Sequence, residues 1–114
     1  FDLSAPGEVA KLRWPASPNG GRLVMGLPAN VALDSLAIDS AGHICVATLM
    51  HGGISVISPD GSLVSHVPLP DRMTTNLCFG GPALRTVYVT LSGTGKLIAI
   101  DDWPIPGLAL NHNG

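Results

Sequence analysis

The stretch DSLAIDSAGHICVATLMHGGISVIS, at residues 34–58, decides the fold because a second stretch repeats its pattern. That second stretch, TNLCFGGPALRTVYVTLSGTGKLIAID, occupies residues 75–101. In both, short runs of β-branched and other apolar residues alternate with turns rich in Gly, Ser and Asp, without helical periodicity. A repeat of about 40 to 45 residues built from short strands is typical of β-propeller blades. The sequence therefore predicts an all-β protein made of four-stranded antiparallel blades.

Turn signals around these stretches divide the chain into three parts. Residues 1–30 are predicted as the end of one blade, 31–70 as a complete blade and 71–114 as most of the next blade. The predicted strands are 1–4, 22–27, 35–38, 43–49, 54–58, 63–69, 76–79, 86–91 and 96–101. A propeller needs about four to eight blades to close, so about two blades would expose open sheet edges. We therefore expect one of two arrangements. Either the natural polypeptide has upstream blades that are missing here, as a start without Met suggests, or several copies form a homo-oligomer.

Composition removes several classes of partner. Of the 114 residues, 46% are hydrophobic and 12% are charged, which argues against disorder. The formal net charge is −2 and the six basic residues are scattered, so no nucleic-acid partner is expected. No apolar run approaches the roughly 18 residues that span a bilayer, so no membrane partner is expected. No secretory signal is visible, and among compartments the cytoplasm is favoured for a soluble protein.

Residues that could form a metal centre or a nucleophile on their own are sparse. Cys45 and Cys78 lack metal or disulfide spacing, and both are expected as small buried side chains. His43, His66 and His112 share no ligand spacing, which argues against a zinc site made from them. The chain also lacks the Gly-x-Ser-x-Gly elbow of a serine hydrolase.

Several motifs, in a fixed order, resemble those of a known family. LDSLAID at residues 33–39 and GHICVA at 42–47 resemble a P-D-G-x-x-x-D … G-x-x-W-V-A segment. TTNLCFGG at 74–81 is the most specific piece, and Trp103 with PGL at 106–108 resembles a closing segment. These motifs resemble the family of senescence marker protein-30, gluconolactonase and luciferin-regenerating enzyme. The resemblance covers most of the chain and corresponds to the C-terminal part of that family's fold.

The resemblance implies a six-bladed propeller that hydrolyses sugar lactones and related cyclic esters. It also implies one axial divalent metal, often calcium or zinc, bound by a Glu, an Asn and an Asp from separate blades. Only the Asp has a counterpart here, Asp34, which the resemblance implies to be a metal ligand and the general base for the attacking water. Leu33 and Ser35 replace a Pro and a Gly beside it, so its aim is expected to differ. A hard cation takes about six to eight oxygen ligands, so the chain alone is expected to lack lactonase activity.

Strand alternation places further candidates on the same rim as Asp34. In an up-and-down blade the first strand leads away from Asp34 and the second returns, so the turn with His51 comes back to that face. By the repeat, Thr75 and Ser92 lie on the same face of the next blade. With Asn76, these are the candidate substrate-binding residues for a small lactone or sugar-like ligand. Each has a structural alternative, since such side chains also close turns by hydrogen bonds.

Two main functions stay open from the sequence, beside a third interpretation as a secreted or periplasmic propeller of regulatory type. The first is a metal-dependent lactone hydrolase of which this chain is the C-terminal part. The second is a non-catalytic propeller module that binds or scaffolds partners and assembles through its exposed blade edges. The fold alone does not decide between them, because a propeller carries no chemistry without its site.

Overall fold

The computed structural model describes residues 1–111, which form nine β-strands and no helix. The strands are β1 (Asp2–Ala5), β2 (Glu8–Ala10), β3 (Ala32–Ile38), β4 (Ile44–Leu49), β5 (Ile54–Ile57), β6 (Leu63–Val67), β7 (Thr74–Gly80), β8 (Thr86–Leu91) and β9 (Lys96–Ile100). They group into a hairpin β1-β2, a four-stranded sheet β3-β4-β5-β6 and a three-stranded sheet β7-β8-β9, all antiparallel and connected in sequence order. The predicted all-β meander is thereby confirmed. Over residues 1–111 no helix is long and apolar enough to cross a membrane.

The turn between β4 and β5 shows why glycine is required in the four-stranded sheet. Gly53 has a φ of 117°, a conformation that side chains rarely adopt. A Cβ at this position would lie 2.2 Å from the Val67 carbonyl oxygen on β6. Only glycine therefore allows the backbone of this turn to lie so close to the end of β6.

Residues 22–27, predicted as a strand, pair with no strand in the part of the chain that the structure describes. Within this stretch Met25 and Leu27 are half-buried, whereas Leu23 is exposed. Val24 and Met25 line a cavity together with Leu36, on the face of the four-stranded sheet that points away from β7-β8-β9. The prediction was wrong because this apolar stretch covers a sheet face and does not extend a sheet edge.

The main core lies between the four-stranded and the three-stranded sheet. Strand alternation directs every second side chain of each sheet into this layer. Its fully or nearly fully buried members are Cys45, Ala47, Ile54 and Val56 from the first sheet, Leu77, Val87, Val89 and Leu91 from the second, and Trp103. The Trp103 ring meets Phe79 edge to face, with ring centroids 6.3 Å apart, an arrangement that aromatic pairs favour. This layer fixes the two sheets against each other.

The two cysteines occupy opposite environments. Cys45 is fully buried, as expected, and this burial raises the pKa of its thiol to about 12. Cys78 is exposed, so its expected burial was wrong. It follows the buried Leu77 on β7 and therefore points to the opposite, open face of the three-stranded sheet.

A C-terminal segment, residues 103–108, crosses the ends of both larger sheets. Its two prolines cannot donate to a strand ladder, in line with the absence of a strand here. Two of its backbone hydrogen bonds go to each sheet: Ser40 N to Pro106 O (2.8 Å) and Leu108 N to Ile38 O (2.9 Å) on the first, Trp103 N to Arg85 O (2.9 Å) and Gly107 N to Leu84 O (2.8 Å) on the second. The segment thus joins the sheets at the end where β3 and β7 finish, which we call the distal end.

Candidate functional site

The candidate site lies at the opposite, proximal end, where β3 and β7 begin. The β3–β4 register shifts between Leu33 and Leu36, so Asp34 and Ser35 oppose a single residue of β4. Such a β-bulge bends the strand and re-aims side chains, and bulges are frequent beside active sites. Asp34 is exposed and lies within β3, not directly before the strand as the sequence pattern predicted. Ser35 has a negative φ, so its replacement of glycine imposes no left-handed backbone here.

A second bulge occurs at the equivalent position of β7. The β7–β8 register shifts between Thr74 and Asn76, so Thr75 is the extra residue of this bulge. The Thr75 hydroxyl lies 2.8 Å from Ser92 Oγ and 2.9 Å from Thr90 Oγ1. The structure therefore brings Thr75 and Ser92 together at the proximal end, as the repeat predicted. They form a row of hydroxyl groups, each able to donate or accept a hydrogen bond.

Asp71 fixes this row in place, and sequence reasoning missed it. It is buried in the link between the two sheets and accepts hydrogen bonds from Met73 N, Thr94 N and Thr94 Oγ1, each 2.8 Å long. The hydrogen bonds from Met73 N and from Thr94 hold the pKa of the Asp71 carboxyl below its usual value. The hydrogen bond from Met73 N to the Asp71 side chain forms an Asx-turn. The Pro70-Asp71 pair is a signal for such a turn in the sequence. The hydrogen bonds between Asp71 and Thr94 anchor the β8–β9 turn that carries Ser92.

The proximal ends of the two sheets meet directly. Leu49 at the end of β4 forms an isolated bridge with Met73 just before β7. Met50 N donates to Arg72 O at 2.8 Å, and Arg72 Nε donates back to Met50 O at 2.9 Å. Leu49 also pairs with Ala32, which lies two residues before Asp34 on β3. Asp34 therefore lies on the same rim as Thr75. The rim is continuous from one sheet to the next.

His51 lies on this rim, but its ring is directed towards the outermost strand of the sheet. Its centroid is 4.3 Å from that of His66 on β6. His66 is itself fixed, since Nε2 donates to Gly52 O and Nδ1 accepts from Ser55 Oγ, both at 3.1 Å. Burial lowers the pKa of His66, and the neighbouring His51 adds to this effect. A role of His51 in substrate binding stays a prediction.

Asn76 follows the bulge and is exposed on the open face of the three-stranded sheet. There it lines a cavity of about 140 Å³ together with Tyr88, Thr90 and Leu97. Thr90 connects this cavity to the hydroxyl of Thr75. A substrate contact of Asn76 is therefore a prediction that concerns the open face as well as the rim.

The residues present do not fit a divalent metal by themselves. Within residues 1–111, no group of three or more His, Cys, Asp and Glu side chains comes together in a way that could hold a metal ion. Asp34 offers one carboxylate, whereas calcium takes about six to eight oxygen ligands and structural zinc four ligands. His112, named in the sequence analysis, lies outside the described residues. Over the described range, Asp34 thus has no two further His, Cys, Asp or Glu side chains beside it with which to hold a metal at the rim.

Comparison with known proteins places this architecture among lactonases and their relatives. A family model described as the SMP-30/Gluconolactonase/LRE-like region matches residues 9–93. The chain is 36% identical over 103 residues to 6-deoxy-6-sulfogluconolactonase of Pseudomonas putida, covering 90% of this chain and 32% of that protein. It is 37% identical over 93 residues to a pentonolactonase of Haloferax volcanii, covering 82% of this chain and 29% of that protein.

Two further relatives extend the comparison. Regucalcin of Xenopus laevis is 37% identical over 71 residues, covering 61% of this chain and 23% of that protein. The X-ray structure of a protein assigned as a gluconolactonase superposes with a TM-score of 0.64 at 32% identity, over 77% of this chain and 28% of that chain. The chain therefore spans about a third or less of the length of these relatives. The superposition confirms the predicted fold, about two blades of a β-propeller.

Proposed function

We propose that this chain, which belongs to the SMP-30/gluconolactonase/LRE-like family, is part of a hydrolase of small cyclic esters of the sugar-lactone type. Two of its relatives are lactonases by name, and one of them covers 90% of the chain. One structural observation carries the proposal. Asp34 is an exposed carboxylate at a bulge of β3, on the rim that also carries the Thr75–Ser92 hydroxyl row.

The proposed chemistry follows from these side chains. The Asp34 carboxylate accepts a proton from water as the water oxygen attacks the lactone carbonyl carbon. The ring C–O bond then breaks, and the proton passes to the departing ring oxygen, so that the product is a hydroxy acid. Thr75 and Ser92 donate or accept hydrogen bonds with the hydroxyl groups of a sugar-like substrate. His51 and Asn76 are the further proposed contacts.

A divalent cation enters the proposal only through Asp34. Calcium or zinc would take this carboxylate as one ligand, and its other ligands would come from outside the described residues, which do not fit the ion alone. A bound cation would polarise the lactone carbonyl. The chemistry assigned to Asp34 above does not depend on it. For the same reason we propose that the chain, tested alone, is inactive until further blades or other copies complete the rim.

A second candidate function rests on a different observation. The three-stranded sheet leaves the face with Tyr88 and Leu97 open, with Leu97 68% exposed. A non-catalytic propeller module that assembles or scaffolds through such faces would need no reacting carboxylate. In that case the exposed Asp34 would be a surface residue without a role in catalysis.

A chimera tests the hydrolase proposal. The chain replaces the matching third of the Pseudomonas putida relative, and acid release from gluconolactone is followed with a pH indicator. We expect activity in the chimera, no activity in the isolated chain, and a loss of about 10²- to 10⁴-fold on Asp34→Asn, the usual contribution of a general base. Asp102→Asn is the matched control, because Asp102 is exposed at a φ of 57° that Asn also tolerates. An Asp34→Asn chimera as active as the Asp102→Asn chimera would favour the scaffold function.

A further inference from the structure

The distal end of the four-stranded sheet holds a second polar pair, far from the rim. Asp39 directly follows β3 at this end and is 1% exposed. One of its oxygens accepts from the backbone N–H groups of Ala41 and His43, both at 2.9 Å. The other lies 2.8 Å from Nδ1 of His43. Asp39 is five residues along the strand from Asp34, about 16 Å at the usual rise, so this pair belongs to a separate site.

The hydrogen bonds of Asp39 decide which nitrogen of His43 can meet a ligand. A carboxylate only accepts, so Nδ1 carries the proton and donates it to Asp39. In the neutral imidazole, Nε2 is then a hydrogen-bond acceptor. Among residues 1–111 only Nδ1 of this ring has a side-chain partner, and no buried side-chain nitrogen or oxygen there is left without one, so Nε2 is accessible. The ring is oriented and its free nitrogen is unused.

A cavity of about 240 Å³ adjoins this ring. Its walls come from three parts of the chain that pack together: the β3–β4 turn, strands β5 and β6, and the C-terminal segment. Besides Asp39 and His43, its main lining residues are Val56, Val64, Val67, Trp103 and Ile105. Trp103 and Val56 are each 6% exposed and belong to the core, so these walls are firmly placed. The cavity is therefore apolar except at the Asp39–His43 pair and at Ser65, which also lines it.

We propose that this cavity, the Asp39–His43 pocket, binds a small alicyclic or aromatic alcohol whose hydroxyl group donates to His43 Nε2. An apolar protein cavity of about 150 Å³ is enough to bind benzene, so one six-membered ring fits here. The apolar walls take the ring, and His43 Nε2, which in the neutral imidazole only accepts, selects a molecule with an O–H group. A carboxylate ligand fits less well, because Asp39 already places a negative charge behind the ring.

Trp103 fluorescence reads out binding in the full chain. Trp14→Phe removes the other indole, which is 79% exposed and outside the pocket. The probes are cyclohexanol, which donates an O–H, and cyclohexanone, which has a similar shape but only accepts. Titrations are made at about pH 8. We expect a saturable change with cyclohexanol and binding about tenfold weaker with cyclohexanone, as the loss of one hydrogen bond implies.

Two variants on β6 test the pocket without changing the Asp39–His43 pair, on which local folding could depend. Val64→Phe fills the pocket from an exposed position on β6 and is expected to abolish binding of both probes. Leu63→Phe, one residue earlier on the same strand and outside the pocket, is expected to leave binding unchanged. His43→Phe is expected to remove the preference for cyclohexanol. Equal affinities for the two probes, no saturable change, or binding that survives Val64→Phe would overturn the proposal.

Discussion

At the residue scale, Asp71 organises the rim although it carries no proposed chemistry. Its carboxylate accepts one hydrogen bond from Met73 and two from Thr94, so it links the segment before β7 to the β8–β9 turn. A Cβ on Gly93 would lie 2.5 Å from an Asp71 oxygen, which shows how closely this turn approaches the carboxylate. The position of Ser92 beside Thr75 thus depends on the Asp71 carboxylate, to which we assign no contact with a substrate.

Asp71→Asn is expected to destabilise the chain at neutral pH. The amide keeps the size of the side chain but cannot accept all three donors, and one NH₂ group is turned towards a donor. The pKa of Asp71 is lowered in the folded chain, so its carboxylate stabilises the fold above its unfolded pKa. This contribution is lost as the pH falls through the lowered pKa, below about pH 4.

Urea unfolding at neutral and at acidic pH checks this expectation. The wild type should exceed Asp71→Asn in stability at pH 7, and the difference should shrink as the solution becomes acidic. Asp102→Asn should match the wild type at both pH values. A difference between wild type and Asp71→Asn that is constant with pH would mean that the charge of Asp71 does not contribute.

Individual residues were predictable from the sequence where the repeat carried them. Asp34, Thr75 and Ser92 fall on one rim because strand order and repeat phase fix the end of the sheet at which each lies. Asp71 was missed because its partner Thr94 is 23 residues away and no short pattern joins them. The direction of the His51 ring was missed for a similar reason, since it depends on contact with His66 two strands away.

At the element scale, the strands of the two larger sheets were predictable and their irregularities were not. Alternating apolar residues between Gly and Pro turns located β3 to β9 to within a few residues. The bulges at Asp34 and Thr75 lie inside strands whose alternation looks regular in sequence. Residues 22–27 misled because a short apolar run has the same composition whether it joins a sheet or covers one.

The C-terminal segment gives the element-scale prediction. Trp103 is 6% exposed between the sheets, so Trp103→Ala removes the ring that packs on Phe79 and leaves a cavity. We expect a loss of about 3–5 kcal/mol in the free energy of unfolding, measured by urea denaturation. Trp14→Ala removes the same group from a position that is 79% exposed and should cost far less. Similar losses for the two variants would show that the segment does not hold the sheets together.

At the scale of the whole molecule, the open faces are the main unsatisfied feature. Leu97 and Tyr88 are 68% and 39% exposed on a sheet that has core packing on its other side only. A propeller blade normally buries both faces against neighbouring blades. The shorter length of the chain compared with its relatives fits this picture. Self-association through this face is therefore expected when no other blade covers it.

Light scattering over a range of concentrations tests this expectation. We expect a mass that rises with concentration, with a trimer corresponding to six blades. We expect a lower mass for Leu97→Lys, because a charge on this face opposes its burial. Leu63→Lys is the control, since Leu63 is also exposed but lies at the start of β6. Measurement with and without calcium shows whether the ion favours assembly. A monomer at all concentrations would contradict self-association through this face.

The crossing of the C-terminal segment over both sheets has a mechanical consequence. Its backbone hydrogen bonds to the two sheets follow one another along the segment, at residues 103, 106, 107 and 108. A force applied at the end of the chain would reach them one at a time, as in a zipper, from Leu108 back to Trp103. The strand ladders would bear load only after Trp103 had left its place. Under tension the molecule should therefore yield in two steps, the first small and soft, the second large and abrupt.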